Sequence, residues 1–319
     1  MDGSVLSPLW GVPFAGLLLS IALMPLVAPA FWHHHFGKVT AAWALAFALP
    51  FAASHGLSAL THELVHVLLG EYVPFILMLT ALFVVAGGIY IRGNLRGSPA
   101  LNTILLAVGG TLASVMGTTG ASMLLIRPLI RANDNRTHKA HVVVFFIFIV
   151  SNVGGSLTPL GDPPLFLGFL KGVEFFWTAR HIFPETLFTL GALLALFWLI
   201  DSYLFRTEGV LKVDPTPDTP RVGFDGAANF LLLGGVLGLV LLSGTWKSPV
   251  QIEVLGTPIG LPSLVRDAGL IAIIVLSLWI TPGKVHADNQ FGWGPMAEVA
   301  KLFAGIFLTI VPVIAMLKA

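Results

Sequence analysis

Apolar residues along this chain come in runs separated by polar or charged breaks: Leu9 to Phe31, Val39 to Ser54, Val73 to Ile91, Leu101 to Ile126, Val142 to Leu170, Phe183 to Phe205, Phe230 to Leu242, Leu264 to Ile280 and Val299 to Leu317. About 20 helical residues cross about 30 Å of hydrocarbon, so runs of this order predict membrane-spanning helices. The expected fold is an all-α polytopic membrane protein. Two runs are too broken to be single helices. Leu101 to Ile126 carries Gly109, Gly110, Gly117 and Gly120 around Thr118 and Thr119, and Val142 to Leu170 is interrupted by SNVGGSLTPLGDPP, Ser151 to Pro164.

Glycine costs about 1 kcal/mol and proline about 3 kcal/mol in a helix interior. The concentration of Gly154, Gly155, Pro159, Gly161, Pro163 and Pro164 therefore predicts unwound backbone inside a span, where a simple kink needs a single Pro or Gly. Lipid cannot satisfy unwound peptide groups, so such a segment has to be buried in protein or line a wet cavity. The expectation is about eight spans plus a re-entrant hairpin at Leu101 to Ile126 and a broken helix at Val142 to Leu170.

Charge chooses the hairpin over a full crossing. With it, Lys38, Arg92, Arg96, Arg127, Arg131, Arg136, Lys139, Arg206, Lys212, Arg221, Lys284 and Lys301 share one side. Lys171, Arg180, Lys247, Arg266 and Lys318 take the other. The positive-inside rule makes the first side cytoplasmic and the N-terminus external, in the cytoplasmic (inner) membrane of the cell. The longer connections are a proline-rich loop, Thr207 to Phe224, with Pro215, Pro217 and Pro220, and an outer loop, Ser243 to Ser263.

Composition agrees: 56% of the 319 residues are hydrophobic and 10% charged, with a mean hydropathy of +0.89. That is more apolar surface than a soluble core of this length needs. Seventeen Lys and Arg nearly balance sixteen Asp and Glu, and no basic stretch suggests a nucleic-acid partner. The absence of cysteine excludes disulfides, thiolate metal sites and a cysteine nucleophile. The first run lacks a cationic start and reads as a span, although Ala28-Pro29-Ala30 imitates a signal-cleavage site.

Asp162 is the leading candidate for chemistry, because a carboxylate within a span is by default functional. Ser151, Asn152, Ser156 and Thr158 surround it in sequence, and Thr118, Thr119 and Ser122 offer further oxygens at the hairpin tip; hard cations want oxygen ligands. The competing role for Asp162 is a helix N-cap before Pro163, and the two are compatible. For the hydroxyl residues the alternative is helix packing. The half-helix N-terminus beyond Asp162 leaves the sign of the cargo open.

His62-Glu63-Leu64-Val65-His66 matches the zinc-hydrolase pattern, but no cysteine or third ligand accompanies it and the segment falls in an expected outer loop, where an interfacial amphipathic turn is the plainer reading. His33, His34 and His35 beside Trp32 read as an interfacial belt. Gly234 and Gly238 have the spacing of a close helix contact. No cofactor and no metal beyond a sodium ion is expected.

With EYVPFILMLTALFVVAGGIYIRG, MGTTGASMLLIRPLIRAN and SNVGGSLTPLGDPPLFLGFL, the chain resembles NhaD-type sodium/proton antiporters of the ion transporter superfamily, which also contains citrate and arsenite permeases. The resemblance runs from about Trp10 to the end. It implies that the tip at Thr118 and Thr119 meets the turn at Ser151 to Asp162 near mid-membrane to form half of a cation site, with Gly117, Gly120, Gly154, Gly155, Gly161, Pro159 and Pro163 as hinge and half-helix positions. It also implies an inverted second copy. The expected organisation is a scaffold over 1–72, a first repeat over 73–170, linking helices over 171–298 and the start of a second repeat over 299–319, as in a C-terminally truncated relative. The implied function is sodium/proton antiport, with sodium-coupled citrate or dicarboxylate transport, or a transport-inactive scaffold, as alternatives. Expected partners are membrane lipid, sodium and protons, allowing a homodimer.

Overall fold

The computed structural model describes residues 6–93, 95–209, 213 and 223–319. Lys212, Pro215, Pro217, Pro220 and Arg221 of the expected proline-rich loop lie outside these. The chain is 77% helical, and among the described residues there is no closed sheet, which leaves helices as the spanning elements. Among the described residues seven helices are long and apolar enough to cross a membrane, or eight if the bent pair Gly294–Thr309 and Val311–Lys318 counts as one. The protein is an all-α polytopic membrane protein.

Two compact units make up the chain. The first comprises Met1–Ile76, Val250–Gly260 and Gly292–Ala319. It contains α1 (Val12–Val27), α2 (Pro29–His55) and α3 (Leu57–Val67). Ala28 of the signal-like Ala-Pro-Ala is the non-helical joint between α1 and α2, with Pro29 at the first turn of α2. Trp10, Phe47 and Phe51 pack edge-on and stacked at one end of this pair. The zinc-like pentapeptide is corrected here: His62 to His66 lie on α3, not in a loop, and the helix runs on through a π-helical turn, Leu68–Tyr72, into α4 (Val73–Gly87).

The second unit comprises Leu77–Pro249 and Leu261–Phe291 and holds the irregular segments. β1 (Tyr90–Arg92) follows α4, and then comes α5 (Pro99–Ala132), whose 34 residues are not one rod. Gly117 at its centre has φ +78° and ψ 152°, a conformation open to glycine and costly to side-chain residues. On either side the halves fold back on each other. Asn102 Nδ2 donates to Asn133 Oδ1 at 2.8 Å across 31 residues, which a straight helix would hold about 46 Å apart. Gly97 N–H reaches the Ala132 carbonyl at 2.6 Å, and a Cβ on Gly109 would stand 3.0 Å from Leu125 Cδ1. Both ends of α5 thus lie together, as a re-entrant hairpin requires.

α6 (Ala140–Ile149) is followed by a non-helical stretch containing a single tight turn, Val153–Gly155, and helix resumes as α7 (Pro163–Leu170). Next come α8 (Trp177–Thr207), β2 (Gly223–Asp225) paired antiparallel with β1, and α9 (Ala228–Thr245). The outer loop forms a hairpin of β3 (Gln251–Val254) and β4 (Thr257–Gly260) belonging to the first unit, before α10 (Leu261–Ile280) and α11 (Gly283–Asp288) complete the second. α12 (Gly294–Thr309) and α13 (Val311–Lys318) return to the first unit, where Gly305 closes on Thr40 of α2 and Phe75 stacks among Phe303 and Phe307.

The expected close contact at Gly234 and Gly238 is not made: an added Cβ at either meets nothing within 4 Å. The tight α9–α10 approach lies one position away, with Gly235 on Ile273 and Gly269 on Leu239.

A buried polar cluster ties the ends of the hairpin to the unit. Asp201 of α8 accepts from Arg136 at 2.6 Å, from His141 at 2.8 Å and from Asn102 at 3.0 Å, and both Arg136 and Asp201 side chains are fully enclosed. Arg136 also reaches Glu208 at 3.4 Å, while Arg92 pairs with Asp225 in the open at 2.9 Å. Removing one member of a buried pair strands the other charge. Asp201→Ala is expected to destabilise the detergent-solubilised protein by about 3 kcal/mol, seen as a lower midpoint of thermal unfolding. Arg92→Ala, with an exposed pair, should cost under about 1 kcal/mol in the same measurement.

Candidate functional site

The broken helix and the hairpin tip meet, and the joint is made largely of backbone. Thr118 N–H donates to the Gly161 carbonyl at 3.1 Å. Ser114 Oγ donates to the Gly154 carbonyl at 2.5 Å, and Thr158 Oγ1 returns a hydrogen bond to the Ser114 carbonyl. Ser122 and Ser151 share a hydroxyl hydrogen bond at 2.9 Å. The first three of these bonds satisfy peptide groups that unwinding would otherwise leave unpaired in a span, and the fourth joins two side chains.

Glycine allows the approach. A Cβ on Gly161 would lie 2.1 Å from the Gly155 carbonyl oxygen, and one on Gly154 would lie 2.5 Å from the Gly110 carbonyl oxygen. Both obstacles are backbone, which cannot step aside. The loop therefore closes on itself, with the Asn152 to Gly155 end beside the Gly161 to Asp162 end, and presses on the first half of the hairpin.

On this joint Ser151, Asn152, Thr119 and Asp162 are exposed, Thr118, Ser122 and Pro163 half-buried, and Gly117, Gly120, Gly154, Gly155, Pro159 and Gly161 buried. The candidate residues sort into two groups. Asp162 stands at the N-cap position of α7 in extended backbone, yet its carboxylate makes no capping hydrogen bond. Thr158 belongs to the clamp: its hydroxyl donates to Ser114 and accepts from Leu160 N–H at 3.3 Å. Ser156 pairs with Thr186 of α8 at 3.0 Å. An exposed carboxylate at this position in a span cannot face lipid cheaply, so it marks a face turned toward water or protein.

Sequence reasoning missed the brace behind the site. The buried residues of α8 are Thr178, Thr186, Phe197 and Asp201, so its inward stripe is mainly polar. Thr178 donates to the Leu157 carbonyl at 2.8 Å. The signal was present in Asp201 itself, a carboxylate that follows fifteen uncharged residues of the run Phe183 to Phe205. Among the described residues no group of three or more His, Asp or Glu side chains could hold a metal ion, so His62, Glu63 and His66 gain no further ligand.

Residues 3–319 match a protein family described as "Putative citrate transport". The chain belongs to this family. It is also similar to an uncharacterized transporter of Mycobacterium bovis and one of Mycobacterium tuberculosis, each 29% identical over 227 residues, covering 67% of this chain and 47% of theirs. The chain thus spans about half the length of the curated relatives it matches. No solved structure matches. The family description and the relatives' names speak of transport without singling out NhaD-type antiporters.

The native chain has no cysteine, which makes the joint directly testable. Hydroxyl oxygens at 2.9 Å put Ser122 and Ser151 within bridging reach. The double variant Ser122→Cys/Ser151→Cys is expected to form an intramolecular disulfide under mild oxidation, read by mass spectrometry. Val115→Cys/Ser151→Cys should not.

Proposed function

We propose that the chain forms the half-site of a secondary active transporter in which Asp162 binds sodium in one state and a proton in another, giving sodium/proton antiport. The observation that carries the reading is the exposed, uncapped Asp162, next to the Gly161 carbonyl that accepts from Thr118, on an unwound joint where Thr119, Ser151 and Asn152 are exposed as well. One charge serves two cargoes, so binding either excludes the other, which is the requirement for exchange. Carboxylate, hydroxyl, amide and freed carbonyl oxygens suit a hard cation.

The start of α7 favours a cation over an anion. Pro163 and Pro164 fill its first two positions and bring no N–H groups, so this half-helix offers fewer donors to a carboxylate than a helix start ordinarily would. The clamp through Ser114, Thr158 and Gly161 makes hairpin and broken helix move as one body during alternating access. The basic end of the second unit, with Arg92, Arg131 and Arg136, faces the cytoplasm on this reading.

The family description favours a second reading, sodium-coupled transport of citrate or a similar carboxylate, in which Asp162 holds the coupling ion and other groups hold the anion. One experiment separates the two. In proteoliposomes, a sodium gradient is expected to drive proton movement that Asp162→Asn abolishes. Sodium-dependent citrate uptake without sodium-driven proton release would replace antiport by the second reading, and neither activity in the wild-type chain would count against both.

A further inference from the structure

A second site lies in the same unit, away from the unwound joint. Where α7 ends, α8 begins at Trp177, α9 ends at Thr245 and α10 begins at Leu261, the helix ends border an open cavity of about 510 Å³. Its wall is divided by chemistry. Phe169, Phe175 and Leu241 supply an apolar part, and Lys247, Ser263 and Arg266 a polar, cationic part.

Arg266 is the informative residue. It is 2% exposed, its Nε donates to Asp267 at 2.8 Å, and its guanidinium sits 6.0 Å from the Phe166 ring. Its Nη2 is buried without a hydrogen-bond partner. Asp267 balances the Arg266 charge, but the enclosed Nη2 still lacks an acceptor; leaving it without one is costly, and a ligand oxygen would supply it. The acid in the lining does not supply it, because Glu174 is paired with Arg180 at 2.9 Å. Lys247 adds a second cation on the same wall.

The helix ends around the cavity and its apolar lining decide which ligand fits. Four helix ends meet at it, and Trp177 and Trp246 are exposed beside it, as tryptophans are at the boundary between hydrocarbon and water. A small free oxyanion would leave the apolar part of the lining uncovered. We infer that this cavity binds the phosphodiester headgroup of an anionic phospholipid, with Lys247 and Arg266 on the phosphate and the upper acyl segment against Phe169, Phe175 and Leu241. The site is independent of the transport reading and needs no movement of the hairpin.

The test is native mass spectrometry of the full chain in detergent, titrated with phosphatidylglycerol or phosphatidylcholine. Phosphatidylglycerol is expected to be retained at one per chain in preference to phosphatidylcholine. Lys247→Gln should weaken that retention about tenfold, the loss of one charge-assisted hydrogen bond, with unchanged thermal unfolding. Arg266→Gln should abolish it; if that variant does not fold, Lys247→Gln decides alone. Equal retention of both lipids, or retention unaffected by Lys247→Gln, overturns the assignment. Inorganic phosphate that binds through Lys247 while phosphatidylglycerol fails to compete would assign the site to a free oxyanion and overturn the lipid reading.

Discussion

Hydrocarbon offers a peptide group no hydrogen-bond partner, and the second unit is organised around that fact. Once the helix stops at Val150 and resumes only at Pro163, its carbonyls and amides need partners from protein. The hairpin supplies them: Thr118, Ser114 and the glycine-lined first half of α5 are positioned for the Gly154 to Gly161 stretch. The hairpin is in turn fixed at its ends, where Asn102, Asn133, Arg136, His141 and Asp201 share one buried network with α8. Site and scaffold are one chain of dependence, running from a broken helix to a hairpin to a buried ion pair.

That dependence explains why polar residues buried in α8 belong to the architecture of the site without lying on its exposed face. Thr178 and Thr186 hold the unwound loop from behind. Fully enclosed charges such as Arg136 and Asp201 contribute little net stability compared with apolar residues of equal volume, but they strongly disfavour any arrangement that separates them. Their contribution is to fix where the ends of α5 sit.

The hairpin and the broken helix were legible in the sequence because their causes are local. Gly117 and the run from Gly154 to Pro164 break helices wherever they occur, and the clustering of Arg92, Arg96, Arg127, Arg131 and Arg136 required both ends of the hairpin on one side. What was not legible depends on partners distant along the chain. The brace from α8, the donor for the Gly154 carbonyl and the acceptor for His141 are set by tertiary packing across 21 to 60 residues. The polar residues of the pentapeptide His62 to His66 interrupt the apolar pattern and so suggest a loop, yet the helix there begins at Leu57 and simply carries them. Gly234 and Gly238 failed as a contact for the opposite reason: their spacing fits close packing, but the approach of α9 to α10 is set by Gly235 and Gly269.

The contacts of Gly154 with Gly110 and of Gly155 with Gly161 are between main chains, and a rotamer change cannot loosen them. On the function proposed above, a joint built this way separates the hinge from the face that meets the ion. Exchanges at the exposed Asn152 or Thr119 would then alter the oxygens offered while the main-chain contacts that present them stay fixed, so the choice of cargo would be a more changeable property than the shape of the cradle.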